Sequence, residues 1–139
     1  MTKVDLPPAE LDVMNCIWQR DETATAIRES LAQTRPLSHS SVCTLLKRLE
    51  EKGMIERSKG TKGKAFVYRP LVAKAGTKRS MLTRLLDRLF GGNGVALVAS
   101  LLESRPPTDT EIDELEKLIK ELKAERRNKN TKSQRKRSN

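Results

Sequence analysis

The sequence predicts a mainly α-helical fold with one small β-hairpin, and three observations carry that prediction. Apolar residues recur at helical spacing through most of the chain. Two short runs of sheet-favouring residues flank a glycine-punctuated turn between positions 54 and 69. That hairpin directly follows three short helices, the third divided into an apolar and a polar face. Three helices and then a basic hairpin is the order of a winged helix-turn-helix.

The elements follow in turn. Pro8 suits the first position of a helix that runs to about Gln19, with Leu11, Met14, Ile17 and Trp18 on one face. Arg20, Asp21 and Glu22 form a polar break. Thr23 caps a second helix from Ala24 to about Gln33, with Ile27 and Leu31 four apart, and Pro36 prevents its continuation. Ser38 is a suitable N-cap for the third helix. There Val42, Leu45, Leu46 and Leu49 follow the i, i+3, i+4, i+7 rule, and Gly53 stands where a left-handed residue commonly ends a helix. The opposite face carries Ser40, Cys43, Thr44, Lys47 and Arg48. Met54–Ser58 forms one strand, Lys59–Lys64 a basic turn and Ala65–Arg69 a second strand, which Pro70 ends.

The second half is helical throughout in character. Met81, Leu82, Leu85, Leu86, Leu89 and Phe90 make an apolar stripe between Ala73 and Phe90. Gly91–Gly94 breaks it, and a short apolar segment follows from Val95 to Leu102, containing Leu97, Val98 and Leu101. After Pro106–Pro107, Thr108 and Glu111 have the spacing of a capping box. The helix they open extends to about Arg126, with Ile112, Leu115, Ile119 and Leu122 in a heptad-like seam. Three short helices with two apolar stripes cannot bury both alone. Dimerisation through Leu82, Leu85, Leu86, Leu89, Phe90, Leu97, Val98, Leu101, Ile112, Leu115, Ile119 and Leu122 is therefore expected. The predicted organisation is a winged helix-turn-helix over 1–71, a C-terminal helical dimerisation region over 72–126, and a disordered basic tail over 127–139.

The formal net charge of +10 favours an anionic partner. The tail from Lys123 to Asn139 carries about +7 and Pro36 to Arg69 about +5, while Leu71 to Leu122 sums to about zero. Aromatic residues make up 3% of the chain, which argues against a stacking platform for single strands. The basic block inside the patterned region points to double-stranded DNA. The expected DNA-binding set is Ser38, His39, Ser40, Ser41, Thr44, Lys47, Arg48, Lys59, Lys62 and Lys64: the hydroxyls of Ser40, Ser41 and Thr44 would meet base edges, Lys47 and Arg48 would reach guanine or phosphate, and the three wing lysines would neutralise phosphates. A non-specific nucleic-acid-binding architectural protein driven by the tail, and a protein-interaction module, are the alternatives.

Catalysis is not expected. His39 is the single histidine, and neither Cys16 nor Cys43 has an evident activating partner. No zinc-ligand spacing and no glycine-rich phosphate cradle occurs, so no metal or cofactor is expected. The N-terminus lacks an apolar signal region, and no apolar run has membrane-spanning length. A cytoplasmic, nucleoid-associated protein with reduced thiols and no membrane insertion is the expectation.

The stretch SHSSVCTLLKRLEEKGMIERSKGTKGKAFVYRPL resembles the penicillinase-repressor (BlaI/MecI/CopY) family, as do LPPAELDVMNCIW and RLLDRLFGGNGVALVASLL. The resemblance covers roughly Leu6 to Leu122. It implies a homodimer of winged helices joined through C-terminal helices, bound to a dyad-symmetric operator with TACA/TGTA-like half-sites. It also implies repression by promoter occlusion, commonly relieved in the family by proteolysis after a β-lactam is detected, with a membrane sensor protease or its downstream protease as partner, and relieved by a metal in a copper-responsive branch. Ser38, Ser41, Thr44, Lys47 and Arg48 match polar or basic positions of the family's recognition helix, whereas Ser40 and Cys43 depart from it. Ser100–Leu101 stands where β-lactam-responsive members have Asn-Phe, the release cleavage site. The paired C-x-C motifs of the copper-responsive branch do not occur here.

Overall fold

The computed structural model describes the backbone of residues 5–60 and 65–137. Nine elements occur among them: α1 (Pro8–Gln19), β1 (Glu22–Thr23), α2 (Ala24–Leu31), α3 (His39–Glu51), β2 (Ile55–Lys59), β3 (Phe66–Pro70), α4 (Lys74–Phe90), α5 (Gly94–Ser104) and α6 (Asp109–Arg137). The chain divides into two compact units, one ending at Leu89 and the other beginning at Phe90.

In the first unit, α1, α2 and α3 surround an apolar core. Val13, Met14, Ile17, Ile27, Val42, Leu46 and Leu49 are fully buried. Local chemistry sets the helix ends. Pro8 opens α1. The Thr23 hydroxyl accepts the Ala26 N–H at 3.1 Å, and the Ser38 hydroxyl accepts the Ser41 N–H at the same distance. At the far end of α3, Gly53 has φ +74°, which lets Met54 N–H reach back to the Leu49 carbonyl at 3.0 Å. The chain then turns directly into β2.

The sheet has the order β1–β3–β2, all antiparallel. Arg57 lies opposite Tyr68 and Lys59 opposite Phe66. Tyr68 and Ile55 enter the core, while Arg57, Ser58, Lys59 and Phe66 remain exposed. The two-residue strand β1 falls where the sequence suggested only a polar break. It pairs Glu22 with Tyr68 and Thr23 with Val67, covering the free edge of β3. Two residues are too few to show an alternating pattern, so only the partner strand reveals it.

One carboxylate lies inside. Glu10 is 3% exposed and receives the Lys52 ammonium at 2.6 Å. Lys52 also donates to the Asp5 carbonyl at 2.5 Å. The pair ties the first turn of α1 to the C-cap of α3.

Three boundaries differ from the sequence expectation. The first unit extends to Leu89 rather than ending at 71, because α4 leans on the core. Trp18 Nε1 donates to the Val72 carbonyl at 3.0 Å, and Val72 and Met81 pack against the buried cluster. The apolar segment expected over Val95–Leu102 is a helix that runs slightly further, α5 from Gly94 to Ser104, capped by Asn93 Oδ1 accepting from Ala96 N–H at 3.1 Å. Helix α6 does not stop at Arg126. It continues to Arg137, so the expected disordered tail is helical through that residue. Neither glycine nor proline interrupts the segment, and arginine, lysine and glutamine are good helix formers. The capping box at its start is formed reciprocally: Glu111 N–H reaches the Thr108 hydroxyl at 3.2 Å, and Thr108 N–H reaches Glu111 Oε1 at 3.1 Å.

The Glu10–Lys52 pair gives a stability test. Lys52→Met leaves a buried carboxylate unpaired and should cost about 3 kcal/mol in denaturant melts. Adding Glu10→Leu should return stability to within about 1 kcal/mol of the parent, because the pair is replaced by apolar volume.

Candidate nucleic-acid interface

The core face of α3 fixes what the helix shows to solvent. With Val42, Leu45, Leu46 and Leu49 inward, His39, Ser40, Ser41, Cys43, Thr44, Lys47 and Arg48 are all exposed. The hydroxyls are not equivalent. Ser38 is occupied as the cap: its Oγ accepts the Ser41 N–H and donates to Ser41 Oγ at 2.9 Å, with Ser40 Oγ 3.3 Å away. Ser38 therefore positions the helix start, and Ser40 and Ser41 stand beside it. The Thr44 hydroxyl donates to the Ser40 carbonyl at 3.0 Å, which leaves its oxygen lone pairs and its methyl group facing outward. His39 Nε2 lies 3.5 Å from Cys43 Sγ, one helical turn on. Lys47 and Arg48 have no carboxylate partner among the described residues.

The hairpin supplies the second wall. Cys43, Lys47, Glu50 and Glu51 of α3 face Arg57, Phe66 and Tyr68 across an open hollow of about 590 Å³. Arg57 was not singled out from sequence, yet it joins the two elements. Its guanidinium lies 4.6 Å from the centre of the Phe66 ring, and its Nε is 3.6 Å from Glu50 Oε2. Only cross-strand register reveals that partnership. Arg69, also basic, is paired with Glu56. Lys59 is exposed at the end of β2, while Lys62 and Lys64 lie outside the described residues. A smaller hollow brings Thr25 from α2 beside His39, Cys43 and Phe66.

Burial shifts two groups of the first unit, one on the hairpin and one on α1. Burial above all, then the Glu50 carboxylate, pushes the Tyr68 phenol up, with Arg57 acting in the opposite sense. Burial, then Glu22 and Asp12, pushes the Cys16 thiol up. Cys43 is exposed.

The expected dimerisation residues lie open on the single chain. Helices α4 and α5 contain no buried residue. Leu82, Leu85 and Leu89 on α4, Val98 and Leu101 on α5, and Ile112, Ile119 and Leu122 on α6 are exposed. Leu86, Phe90, Leu97 and Leu115 are half-buried. Val95, Leu102 and Leu118 are also exposed, beyond the set chosen from sequence. The Ser100–Leu101 bond lies within α5, so a protease could reach it only after that helix opens locally. No single helix among the described residues is long and apolar enough to cross a membrane. No group of three or more metal-ligating side chains occurs among them.

A helix with a polar outer face, set beside a basic-walled hairpin, defines a winged-helix DNA-binding protein. The family model for the penicillinase repressor matches residues 6–121, and the chain belongs to that family. It is 30% identical over 116 residues to the methicillin resistance regulatory protein MecI of Mammaliicoccus sciuri, covering 83% of this chain and 93% of that one. Against the penicillinase repressor of Bacillus licheniformis it is also 30% identical over 116 residues, covering 83% of this chain and 89% of the relative. The crystal structure of YusO from Bacillus subtilis shares the fold, with a TM-score of 0.50 at 20% identity over 86% of this chain and 75% of that one. The family is one of repressors, not enzymes, and the chain is a DNA-binding repressor of that family.

Both shifted groups can be followed singly. Tyr68 is the only tyrosine, so its absorbance near 295 nm should titrate later than a free phenol. A raised folded-state pKa holds the neutral form. Its stabilisation is complete below the unfolded value and is lost as pH rises through the folded one. Stability should therefore fall on the alkaline side in the same range as the absorbance change, and stay flat there in Tyr68→Phe. An alkylating agent at pH 8 should modify Cys43 well before Cys16, as mass spectrometry would show.

Proposed function

We propose that this protein represses transcription as a homodimer on a dyad-symmetric operator, with α3 in the major groove and the hairpin as a phosphate-gripping wing. The observation that carries the proposal is the division of α3: four buried apolar residues on one side, and uniformly exposed hydroxyl, lysine and arginine groups on the other. Thr44 offers an acceptor and a methyl group, the pair of features needed against adenine N6 or a thymine methyl. Ser40 and Ser41 add adaptable hydroxyls at the start of the helix. Lys47 and Arg48, lacking carboxylate partners among the described residues, can reach guanine or phosphate. Lys59, with Lys62 and Lys64 of the turn, would neutralise phosphates. Arg57, held by Phe66 and Glu50, would brace the wing against α3.

The exposed apolar residues of α6 support the dimer reading. A seam of Ile112, Leu115, Ile119 and Leu122 that stays largely in water is unfavourable by roughly 1.5–3 kcal/mol for each fully exposed large side chain. Two-fold pairing removes that cost and places two recognition helices on half-sites about one turn, roughly 34 Å, apart.

A nuclease footprint on the protein's own promoter region is the direct test. A protected palindrome is expected, and no protection at any salt concentration would overturn the reading. Thr44→Ala combined with Lys47→Ala should weaken operator binding by tenfold or more with an unchanged melting temperature. Ile119→Asp combined with Leu122→Asp should convert a dimer to a monomer in sedimentation and reduce operator affinity in parallel.

A further inference from the structure

The C-terminal end of α6 has a composition that neither the winged helix nor the apolar seam uses. Glu125 is the last acidic side chain in the sequence, and Arg126, Arg127, Lys129, Lys132, Arg135, Lys136 and Arg137 follow it within twelve residues. The family match ends at residue 121, so this segment is an addition to the part shared with the family. The backbone is helical to Arg137, and the side chains from Leu122 to Lys132 are exposed.

Such a helix is poorly stabilised by itself. Lys123 and Arg126, Lys123 and Arg127, Arg126 and Lys129, and Lys129 and Lys132 are like charges three or four residues apart, and each such pair opposes helix formation. Glu125 and Lys129 form the only opposite pair at that spacing beyond Lys123. The helix dipole favours cations at the C-terminus, but that help is confined to the last turn. Ala124 is the only apolar residue after Leu122, so no apolar face can dock on protein. The absence of an apolar stripe also argues against a membrane interface, which needs one opposite the basic face. A polyanion that meets cations all round a rod fits both features. Duplex DNA, with one phosphate charge per about 1.7 Å of axis, is such a polymer. Residues 126–137 would span about 18 Å as helix, or roughly five base pairs.

We propose that residues 126–137 form a second, sequence-independent phosphate grip on duplex DNA flanking the operator. This rests on the DNA-binding reading above. Covalent attachment to a domain already on DNA raises the local phosphate concentration that the segment meets. The grip adds affinity and salt sensitivity equally to all sequences, leaving base discrimination to α3. The repulsion along the rod is relieved when phosphates replace the diffuse counterions.

The test compares the full chain with a variant carrying Arg126→Gln, Arg127→Gln, Lys129→Gln, Lys132→Gln, Arg135→Gln, Lys136→Gln and Arg137→Gln. Glutamine keeps helix propensity and removes charge. Binding to the footprinted duplex and to an unrelated duplex is measured between 50 and 200 mM salt. If about half of the seven cations engage, the slope of log K against log salt should become shallower by about 3 per protomer. Affinity for both duplexes should fall at least tenfold while their ratio is preserved. An unchanged slope would overturn the grip and leave the operator reading intact. A wild-type protein that binds both duplexes equally would instead overturn the operator reading. Tighter binding of the wild-type chain to phosphatidylserine vesicles than to the unrelated duplex, lost in the variant, would assign the segment to membranes and also overturn the proposal.

Discussion

Burial of the apolar face of α3 is the constraint on which the functional surface depends. Val42, Leu46 and Leu49 are completely removed from water, and Leu45 nearly so. A roll of α3 by one residue, about 100°, would drive Cys43 and Lys47 into the core and bring Leu45 and Leu49 out. Exposing one such leucine alone costs roughly 1.5–3 kcal/mol, and burying an unpaired ammonium costs more. The outward set of Ser40, Cys43, Thr44, Lys47 and Arg48 is therefore a consequence of packing before it is a matter of recognition. The ends of the helix reinforce the setting: Ser38 holds the start, and Gly53 with the Lys52–Glu10 pair holds the finish.

The same economy explains the two textures of the chain. The buried apolar residues belong to the first unit: to its three helices and sheet, with Leu6 and Met54 beside them. The leucines, valines and isoleucines from Leu82 onward are largely left in water on a single chain. With 36% hydrophobic residues, the sequence builds one core and leaves a second apolar surface without internal cover. Charge is partitioned as well. Residues 36–69 and the far end of α6 are basic, whereas the residues between them are balanced.

What was legible in the sequence was local. The caps at Thr23, Ser38 and Thr108, the left-handed glycine after α3 and the apolar spacing of α3 all rest on chemistry within one turn, and the structure contains each. The hairpin was visible for the same reason. Features defined by partners elsewhere in the chain were not. Strand β1 exists because β3 lies alongside it. Arg57 gains its place from Phe66 across the hairpin and from Glu50 on α3. The chain beyond the hairpin is tied to the first unit by Trp18 binding the Val72 carbonyl and by Met81 packing on the core, contacts with no local signal. Of the candidate DNA-facing residues, Ser38 proved to be held by its own helix end, a role its suitability as a cap had already indicated. Helicity beyond Arg126 was obscured by charge density, which suggests disorder, although no helix breaker is present.

The central claim is that the exposed side of α3 meets base edges when the repressor is on its operator. Cys43 is a reporter built into that face, exposed and one turn from His39. The most direct measurement is the alkylation rate of Cys43 with and without a saturating operator duplex. The rate should fall by more than tenfold on the operator, and less on an unrelated duplex of equal length. An unchanged rate in a protein shown to be operator-bound would place α3 away from the bases and contradict the account.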